Sequence, residues 1–460
     1  MCRGDLLKSK PTGGKSVKIG FVSLGCPKNQ IDTEIMLHEL MNAGYEITAE
    51  DIEADIIIIN TCAFIQSAKQ EAIDNILDIA WLKKNRKLQG IIVTGCLAER
   101  YRDEILNEFP EVDAVVGVGS IHDITEAVES VIKNERYKSY KPVSELKLGG
   151  DRIVISPEYS VYLKVSEGCD NRCTYCAIPM IRGGMRSRPM EDIVAEARNL
   201  VSLGAKELIL IAQDTTGYGY DLYGEYKLAE LIREITSDTD VTWLRLMYCY
   251  PNKITDELIT EIRDNPKVVK YIDLPIQHVS DNMLTAMNRH GGSDVVRSAV
   301  KRLRDGVPDI IIRTTAIVGF PGESDADFEE LCEFVKESKF DRFGAFTYSR
   351  EEDTPAYDLP DQIGEQVKQD RYDIIMRTQL SVMESLNEAK IGNVYDVLCE
   401  GFDPVSESFY GRSYMDAPET DGKVYFMAEP GFEDCTFEGN FVKVKITETL
   451  DYDLIGEIVL

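Results

Sequence analysis

The sequence predicts an α/β protein in three parts. An N-terminal doubly wound parallel-sheet domain is followed by a central partial (β/α)6 barrel and then by a small antiparallel C-terminal β-barrel. Three observations predict it. From residue 17 to about 132, short apolar runs alternate with amphipathic segments. Six further strand candidates alternate with helical segments between 159 and about 363. Near Gly392 the helical period stops, and β-like stretches with Gly and Pro turns take over. A chain of 460 residues has room for two to four such domains, at roughly 150 residues each.

The elements follow in order. Residues 1–16 are expected to be a disordered tail: they carry Lys8, Lys10 and Lys15 but no apolar stretch of the kind a secretory signal needs. In the first domain, 17–133, Val17–Leu24, Asp55–Asn60, Ile91–Gly95 and Val112–Gly117 read as buried parallel strands. Ile31–Met41, Ile65–Trp81 and Ala98–Phe109 read as helices between them, with apolar residues three and four apart. Residues 134–158 are charged, contain Pro142, Gly149, Gly150 and Pro157, and read as a linker with a short hairpin at most. In the second domain, 159–390, the strands are Val161–Val165, Glu207–Ile211, Thr242–Met247, Tyr271–Leu274, Ile311–Ile317 and Arg342–Phe346. Met190–Leu203, Ala229–Thr236 and Asp325–Glu337 are helices among them, and Gln366–Ala389 is a long helix leaving the barrel. Six units make an open barrel rather than the closed eight-fold one. The last domain, 391–460, has strands Val394–Cys399, Lys423–Met427 and Phe441–Thr447.

Charge excludes some functions. With 51 Lys and Arg against 80 Asp and Glu, the net charge is −29, which repels phosphate backbones and disfavours generic nucleic-acid binding. The strongest apolar run, Ile56 to Ile59, ends at Asn60, far short of a membrane span. A cytosolic protein is expected, whose thiols are kept reduced, so clustered cysteines among its 11 point to metal or redox chemistry rather than disulfides.

Two groups of cysteines carry that chemistry. Cys169, Cys173 and Cys176 form a C-x3-C-x2-C loop directly after a strand. Three thiolates so close wrap a [4Fe-4S] cluster with one iron left open, a site for a chelating small molecule. A zinc knuckle is the plainer alternative, but zinc wants a fourth ligand and no Cys or His follows until Cys249. Cys26, Cys62 and Cys96 each follow a predicted strand, and in a doubly wound sheet all such turns lie on one edge. Helix N-termini beginning there favour thiolates. Alone, this pattern is equally that of three buried structural cysteines; beside the first group it points to a second three-thiolate iron–sulfur site. Cys2, Cys249, Cys332, Cys399 and Cys435 have no cluster spacing and are not expected to be ligands.

The C-x3-C-x2-C loop with Tyr175 before its last cysteine resembles the radical S-adenosylmethionine (SAM) enzymes. Together with the three N-terminal cysteines and the C-terminal β-barrel, the chain resembles the methylthiotransferases along almost its whole length. Within them it resembles the ribosomal-protein aspartate methylthiotransferase branch. The stretches that carry this are Ser23-Leu24-Gly25-Cys26-Pro27-Lys28-Asn29, Glu167-Gly168-Cys169, Ile178-Pro179 with Arg182-Gly183, Arg186-Ser187-Arg188, Pro275-Ile276-Gln277-His278, Val318 to Glu323 and Asp416-Ala417-Pro418-Glu419. One departure is Asp353, where the family pattern has Gly.

The resemblance implies two [4Fe-4S] clusters. One, on Cys169, Cys173 and Cys176, holds SAM, whose cleavage yields a 5′-deoxyadenosyl radical that removes hydrogen from an unactivated carbon. The other, on Cys26, Cys62 and Cys96, supplies sulfur, and a second SAM supplies the methyl group. The target implied is the β-carbon of an aspartate in the twelfth protein of the small ribosomal subunit. The C-terminal barrel is then TRAM-like, the electron donor a flavodoxin or ferredoxin, and the enzyme a monomer. SAM contacts are expected at strand ends: Gln213 and Asp214 after the second strand, Arg245 on the third, paired with the SAM carboxylate, Gln277 ending the fourth, Val318 and Gly319 ending the fifth, and Phe346 on the sixth. Tyr175 is expected near the adenine. Val318 and Phe346 read equally well as plain core. Arg182, Arg186 and Arg188 are either a solvated turn or a basic loop that orients an anionic group, and Asp416–Glu419 reads equally as an ordinary turn. Substrate class is decided by charge: residues 388–460 hold five cationic and 16 acidic side chains, a net −11. Such a surface suits a cationic ribosomal protein. A barrel serving transfer RNA, as in the adenosine-modifying branch, would present Lys and Arg. The remaining alternative is a non-enzymatic iron–sulfur protein, a relay or a structural one.

Overall fold

The computed structural model describes residues 17–427 and 437–459; the expected tail, Cys2 and Cys435 lie outside them. The chain divides into two compact units. The first takes in the described residues up to Ile155 together with 167–170 and 176–185; the second takes in 156–166, 171–175 and the chain from Arg186 onward.

The first unit is built on one parallel sheet. Its strands are β1 (Lys18–Ser23), β2 (Glu46–Thr48), β3 (Ile56–Thr61), β4 (Gly90–Gly95), β5 (Ala114–Val116) and β6 (Tyr137–Ser139), in the order β2-β1-β3-β4-β5-β6. Ile56 to Ile59 are all fully buried, as a central strand covered by helices on both faces requires. The helices are α1 (Pro27–Asn42), α2 (Gln66–Asn85), α3 (Cys96–Tyr101), α4 (Asp103–Glu108), α5 (Ile124–Ile132) and α6 (Ile178–Arg182). Pro27 occupies the first turn of α1, where its missing N–H costs nothing, so this helix starts four residues before the predicted Ile31. The single helix predicted over Ala98–Phe109 is two, α3 and α4, broken at Arg102 with φ of 44°. The linker reading of 134–158 needs correction as well. Tyr137–Ser139 pairs with β5 as an edge strand, and Leu146 is buried in the core of this unit.

In the second unit the central sheet is parallel throughout. Its strands are β7 (Ser160–Lys164), β10 (Glu207–Ile211), β11 (Trp243–Leu246), β12 (Val268–Asp273), β13 (Ile311–Val318) and β14 (Arg342–Thr347), in the order β14-β13-β12-β11-β10-β7. Two-residue strands β8 (Ser166–Glu167) and β9 (Arg186–Ser187) bracket the cysteine loop in sequence. The helices include α7 (Met190–Ser202), α8 (Tyr220–Tyr223), α9 (Leu228–Asp238), α10 (Asp256–Asp264), α11 (Asp281–Ala286), α12 (Gly292–Gly306), α13 (Asp325–Ser338) and the long α14 (Glu365–Glu388). Ser324 caps α13 reciprocally with Asp327. Asp353 adopts φ of +63°, a left-handed conformation that explains the glycine of the family pattern. Asp353→Gly is expected to leave stability within about 1 kcal/mol, because relief of that strain is offset by glycine's freedom when unfolded. A urea titration checks it.

The C-terminal strands β15 (Val394–Asp403), β16 (Ser408–Ser413), β17 (Val424–Met427), β18 (Phe441–Leu450) and β19 (Asp453–Ile458) close into a five-stranded barrel, in the order β15-β16-β17-β19-β18. It is not wholly antiparallel, as the β17–β19 pair runs parallel. Residues 412–421 of this barrel reach the N-terminal end of the central strands. There Glu207 opens β10 and is wholly buried; it accepts from Arg245 Nε at 2.7 Å, Arg412 Nη2 at 2.7 Å and Ser160 Oγ at 2.8 Å. Burial opposes its ionisation, but Arg412 and Arg245 prevail and hold its carboxyl at about 2. Asp416 accepts from Arg342 Nε at 2.9 Å, and Asp421 accepts from the Tyr271 hydroxyl at 2.6 Å and pairs with Arg313 at 3.3 Å. The Asp416–Glu419 segment is therefore a polar plug rather than an ordinary surface turn.

Candidate functional site

In the first unit β1, β3 and β4 are neighbours running the same way, so their C-terminal ends share one edge. Cys26 is the N-cap of α1, Cys62 directly follows β3, and Cys96 opens α3 directly after β4. The edge is laced by polar side chains. Asn29 Nδ2 donates to the Leu24 carbonyl at 2.7 Å and the Thr61 carbonyl at 3.2 Å; Asn60 Nδ2 donates to the Asn29 carbonyl at 2.8 Å. Gly25 has φ of +90°, and a Cβ placed on it would lie 3.1 Å from Cys62 Sγ, so the turn before Cys26 closes directly onto the second sulfur. The three sulfurs lie near enough to one another to interact electrostatically. Burial raises the Cys62 thiol and pushes the Cys96 thiol up to about 12, with Arg182 opposing both shifts. Thiols so raised stay protonated at neutral pH until a metal displaces the proton. Three thiol sulfurs at one sheet edge are the soft donor type that iron–sulfur clusters take.

The second cysteine loop contributes to both units. In the first, Cys169 N–H donates to the Gly183 carbonyl at 3.1 Å, and Gly168 before it has φ of +78°. A Cβ on Gly168 would stand 2.1 Å from the Gly184 carbonyl oxygen, so this turn admits only glycine. In the second, Cys173 Sγ lies 3.9 Å from the Tyr250 hydroxyl, and the Arg289 guanidinium stacks 4.2 Å over the Tyr250 ring. Asn171 is held by Asp214 at 2.7 Å and Lys253 at 2.9 Å. The loop is thus fixed by groups from several βα turns at the C-terminal strand ends, where barrel active sites form.

Of the residues expected to touch SAM, Arg245 is placed elsewhere. Its side chain turns back toward the strand starts. There it pairs with Glu207, donates to the Tyr414 carbonyl at 2.8 Å and covers the Tyr271 ring, with 0% of its surface exposed. It has no route to a ligand at the opposite strand ends, so the carboxylate role is withdrawn. Val318 is wholly buried core, whereas Phe346 is 55% exposed, which removes its reading as core. Gln213 follows β10, half-buried. Gln277 ends the fourth strand's turn with φ of +68°, an uncommon conformation for a residue other than glycine, held by its N–H to the Thr315 carbonyl and its carbonyl to Ile317 N–H. Gly319 N–H donates to the Glu323 carboxylate at 2.6 Å, and that carboxylate also takes His278 Nε2 at 3.2 Å and Arg371 Nη1 at 2.6 Å. Tyr175 packs beside Met283, Met287, Phe320, Tyr348 and Ala356. Sequence reasoning missed Tyr250, Arg289 and the Glu323 network; only proximity in space reveals them.

The three-residue basic loop is not one unit. Arg188 is buried, donating to the Lys164 carbonyl at 2.7 Å and pairing with Glu196 at 2.6 Å. Arg182 is 1% exposed and is neither a solvated turn nor open to an incoming carboxylate.

A C-x3-C-x2-C loop after the first strand of a six-stranded parallel sheet, in a segment that matches the radical SAM superfamily, makes this a radical SAM enzyme. Residues 163–335 match the radical SAM superfamily, residues 18–117 match a family described as uncharacterized protein family UPF0004, and residues 391–459 match the TRAM domain. The radical SAM methyltransferase TsrM from Kitasatospora setae shares the fold, with a TM-score of 0.54 over 74% of this chain and 77% of that one, at 14% identity. The ribosomal protein uS12 methylthiotransferase RimO of Acetivibrio thermocellus is 51% identical, covering 96% of this chain and 98% of the relative. That of Geobacter sulfurreducens is 48% identical over 96% and 98%. The chain belongs to the RimO methylthiotransferase family.

Proposed function

We propose that this chain inserts a methylthio group at the β-carbon of an aspartate in ribosomal protein uS12, using SAM and two [4Fe-4S] clusters. The observation that carries the reading is the set of three cysteines at one sheet edge, ahead in sequence of a C-x3-C-x2-C loop that follows the first strand of the second sheet. Cys169, Cys173 and Cys176 hold the cluster that binds SAM; Cys26, Cys62 and Cys96 hold the other. When bound, these groups supply the radical, the sulfur and the methyl carbon. Tyr175, Gln213, Gln277, Gly319 and Phe346, at the C-terminal strand ends, would contact SAM. Tyr250 and Arg289 fix the loop around Cys173. Anaerobic iron analysis is expected to give about eight irons per chain, falling to about four in either Cys26/62/96→Ala or Cys169/173/176→Ala. Release of no 5′-deoxyadenosine from reduced protein with SAM would leave only a relay or structural role.

The C-terminal barrel docks the substrate by charge. Arg412 and Lys390 are buried, which leaves Lys423, Lys443 and Lys445 exposed against Asp396, Glu407, Glu419, Glu438, Glu448, Asp451 and Glu457 among the described residues. A cationic protein such as uS12 complements that surface, and the reaction then takes place in the cytoplasm. Raising salt from 50 to 200 mM is expected to weaken association about tenfold, as measured by calorimetry. Methylthiolation assays with uS12 and with transfer RNA test the substrate class, and modification of transfer RNA alone overturns it. A low-potential flavodoxin or ferredoxin serves as electron donor to the monomeric enzyme.

A further inference from the structure

Arg182 closes α6, six residues beyond Cys176, and is among the largest fully buried side chains of the chain. All of its partners lie in the first unit. Nη1 donates to Asp32 Oδ2 at 2.8 Å and to Glu167 at 3.2 Å; Nη2 donates to Asn29 Oδ1 at 3.0 Å and to Cys96 Sγ at 3.4 Å. Asp32 and Glu167 are as buried as the arginine, and Cys96 nearly so. Burial opposes the guanidinium charge, but the carboxylates of Glu167 and Asp32 beside it keep it charged.

A plain structural ion pair does not account for this geometry. Two carboxylates already exceed one arginine's charge, so an arginine serving only them would have no use for a sulfur acceptor. Instead the fork is divided, one nitrogen on carboxylates and the other on an amide oxygen and the thiol. A cluster on Cys26, Cys62 and Cys96 would add further negative charge to a site from which water is excluded, where each uncompensated ion costs several kcal/mol. Cluster potentials follow net charge, hydrogen bonds to sulfur and exposure.

We infer that Arg182 is the positioning residue that sets the reduction potential of the cluster on Cys26, Cys62 and Cys96, by donating to the Cys96 sulfur and by placing a cation beside the trio. The step it governs adds one electron from an external low-potential donor to that cluster, breaks no bond and moves no proton, since Arg182 stays charged. Asp32 opposes it by neutralising part of the guanidinium charge. The inference rests on the two-cluster reading.

The test uses the full chain carrying Cys169/173/176→Ala, so that one cluster remains, poised anaerobically with titanium(III) citrate and followed by EPR. In this background Arg182→Gln is expected to raise the oxidised-to-reduced ratio at fixed poise at least tenfold, a shift of about 59 mV to lower potential for one electron. Arg182→Lys, which keeps the charge, shifts it less. Asp32→Asn shifts it the opposite way, a sign that loss of a merely structural bond would not produce. Four irons with an unchanged potential in Arg182→Gln overturn the inference. If Arg182→Gln loses its iron, Asp32→Asn decides: an unchanged or lowered potential overturns it. An iron-free parent triple variant refutes the two-cluster reading instead.

Discussion

Glu207→Gln is expected to cost about 3–5 kcal/mol of stability, the range for removing one member of a buried ion group. Glu207 is wholly buried and is shared by two buried arginines. Without its charge, Arg412 retains Glu400 at 2.7 Å, but Arg245 is left with a backbone carbonyl and two aromatic rings. Urea unfolding by circular dichroism measures the loss, and a change below about 1 kcal/mol would count against the triad. The pH dependence has a definite sign. The folded carboxyl is held at about 2, below its unfolded value. Its contribution is therefore complete above the unfolded pKa of about 4.3 and is lost as pH falls toward 2. In the Gln variant that acid-dependent loss disappears.

Gly168→Ala is expected to abolish SAM cleavage with little change elsewhere. Its backbone is left-handed, and the new methyl would stand 2.1 Å from the Gly184 oxygen and 2.7 Å from the Gly183 oxygen. The Gly183 carbonyl is the acceptor for Cys169 N–H, so relief of the clash displaces the first cysteine of the loop. A displacement near 1 Å costs about 100-fold in rate. The expected signature is about four irons instead of eight, with 5′-deoxyadenosine formation down at least that far. Full SAM cleavage by Gly168→Ala would show that the turn does not position Cys169.

Much of this was legible in the sequence, for physical reasons that also mark the limits. Central strands such as Ile56–Thr61 announce themselves because both faces are buried. Edge strands Glu46–Thr48 and Tyr137–Ser139 do not, being short and partly solvated. In the C-terminal barrel Ser408–Ser413 and Asp453–Ile458 escaped because polar residues interrupt their apolar faces. The cysteine pattern was readable since both local spacing and strand-end position are sequence properties. Arg245 was not, because a strand position fixes where a backbone lies and not whether a long side chain reaches forward or back. Nor was Arg182, whose acceptors Asn29, Cys96 and Asp32 stand 153, 86 and 150 residues away.

The polar plug has a bearing on how the protein is made. Glu207, Arg313 and Arg342 complete their ion pairs only with Arg412, Asp421 and Asp416, which are synthesised after the whole of the central sheet. Until then Arg342 lacks its Asp416 partner, and Glu207 and Arg313 have only Arg245 and Asp273, while the amino-terminal sheet is already fully synthesised. Biogenesis is thereby ordered in time: the leading domain matures first, and the catalytic domain is sealed only once the C-terminal barrel has been made.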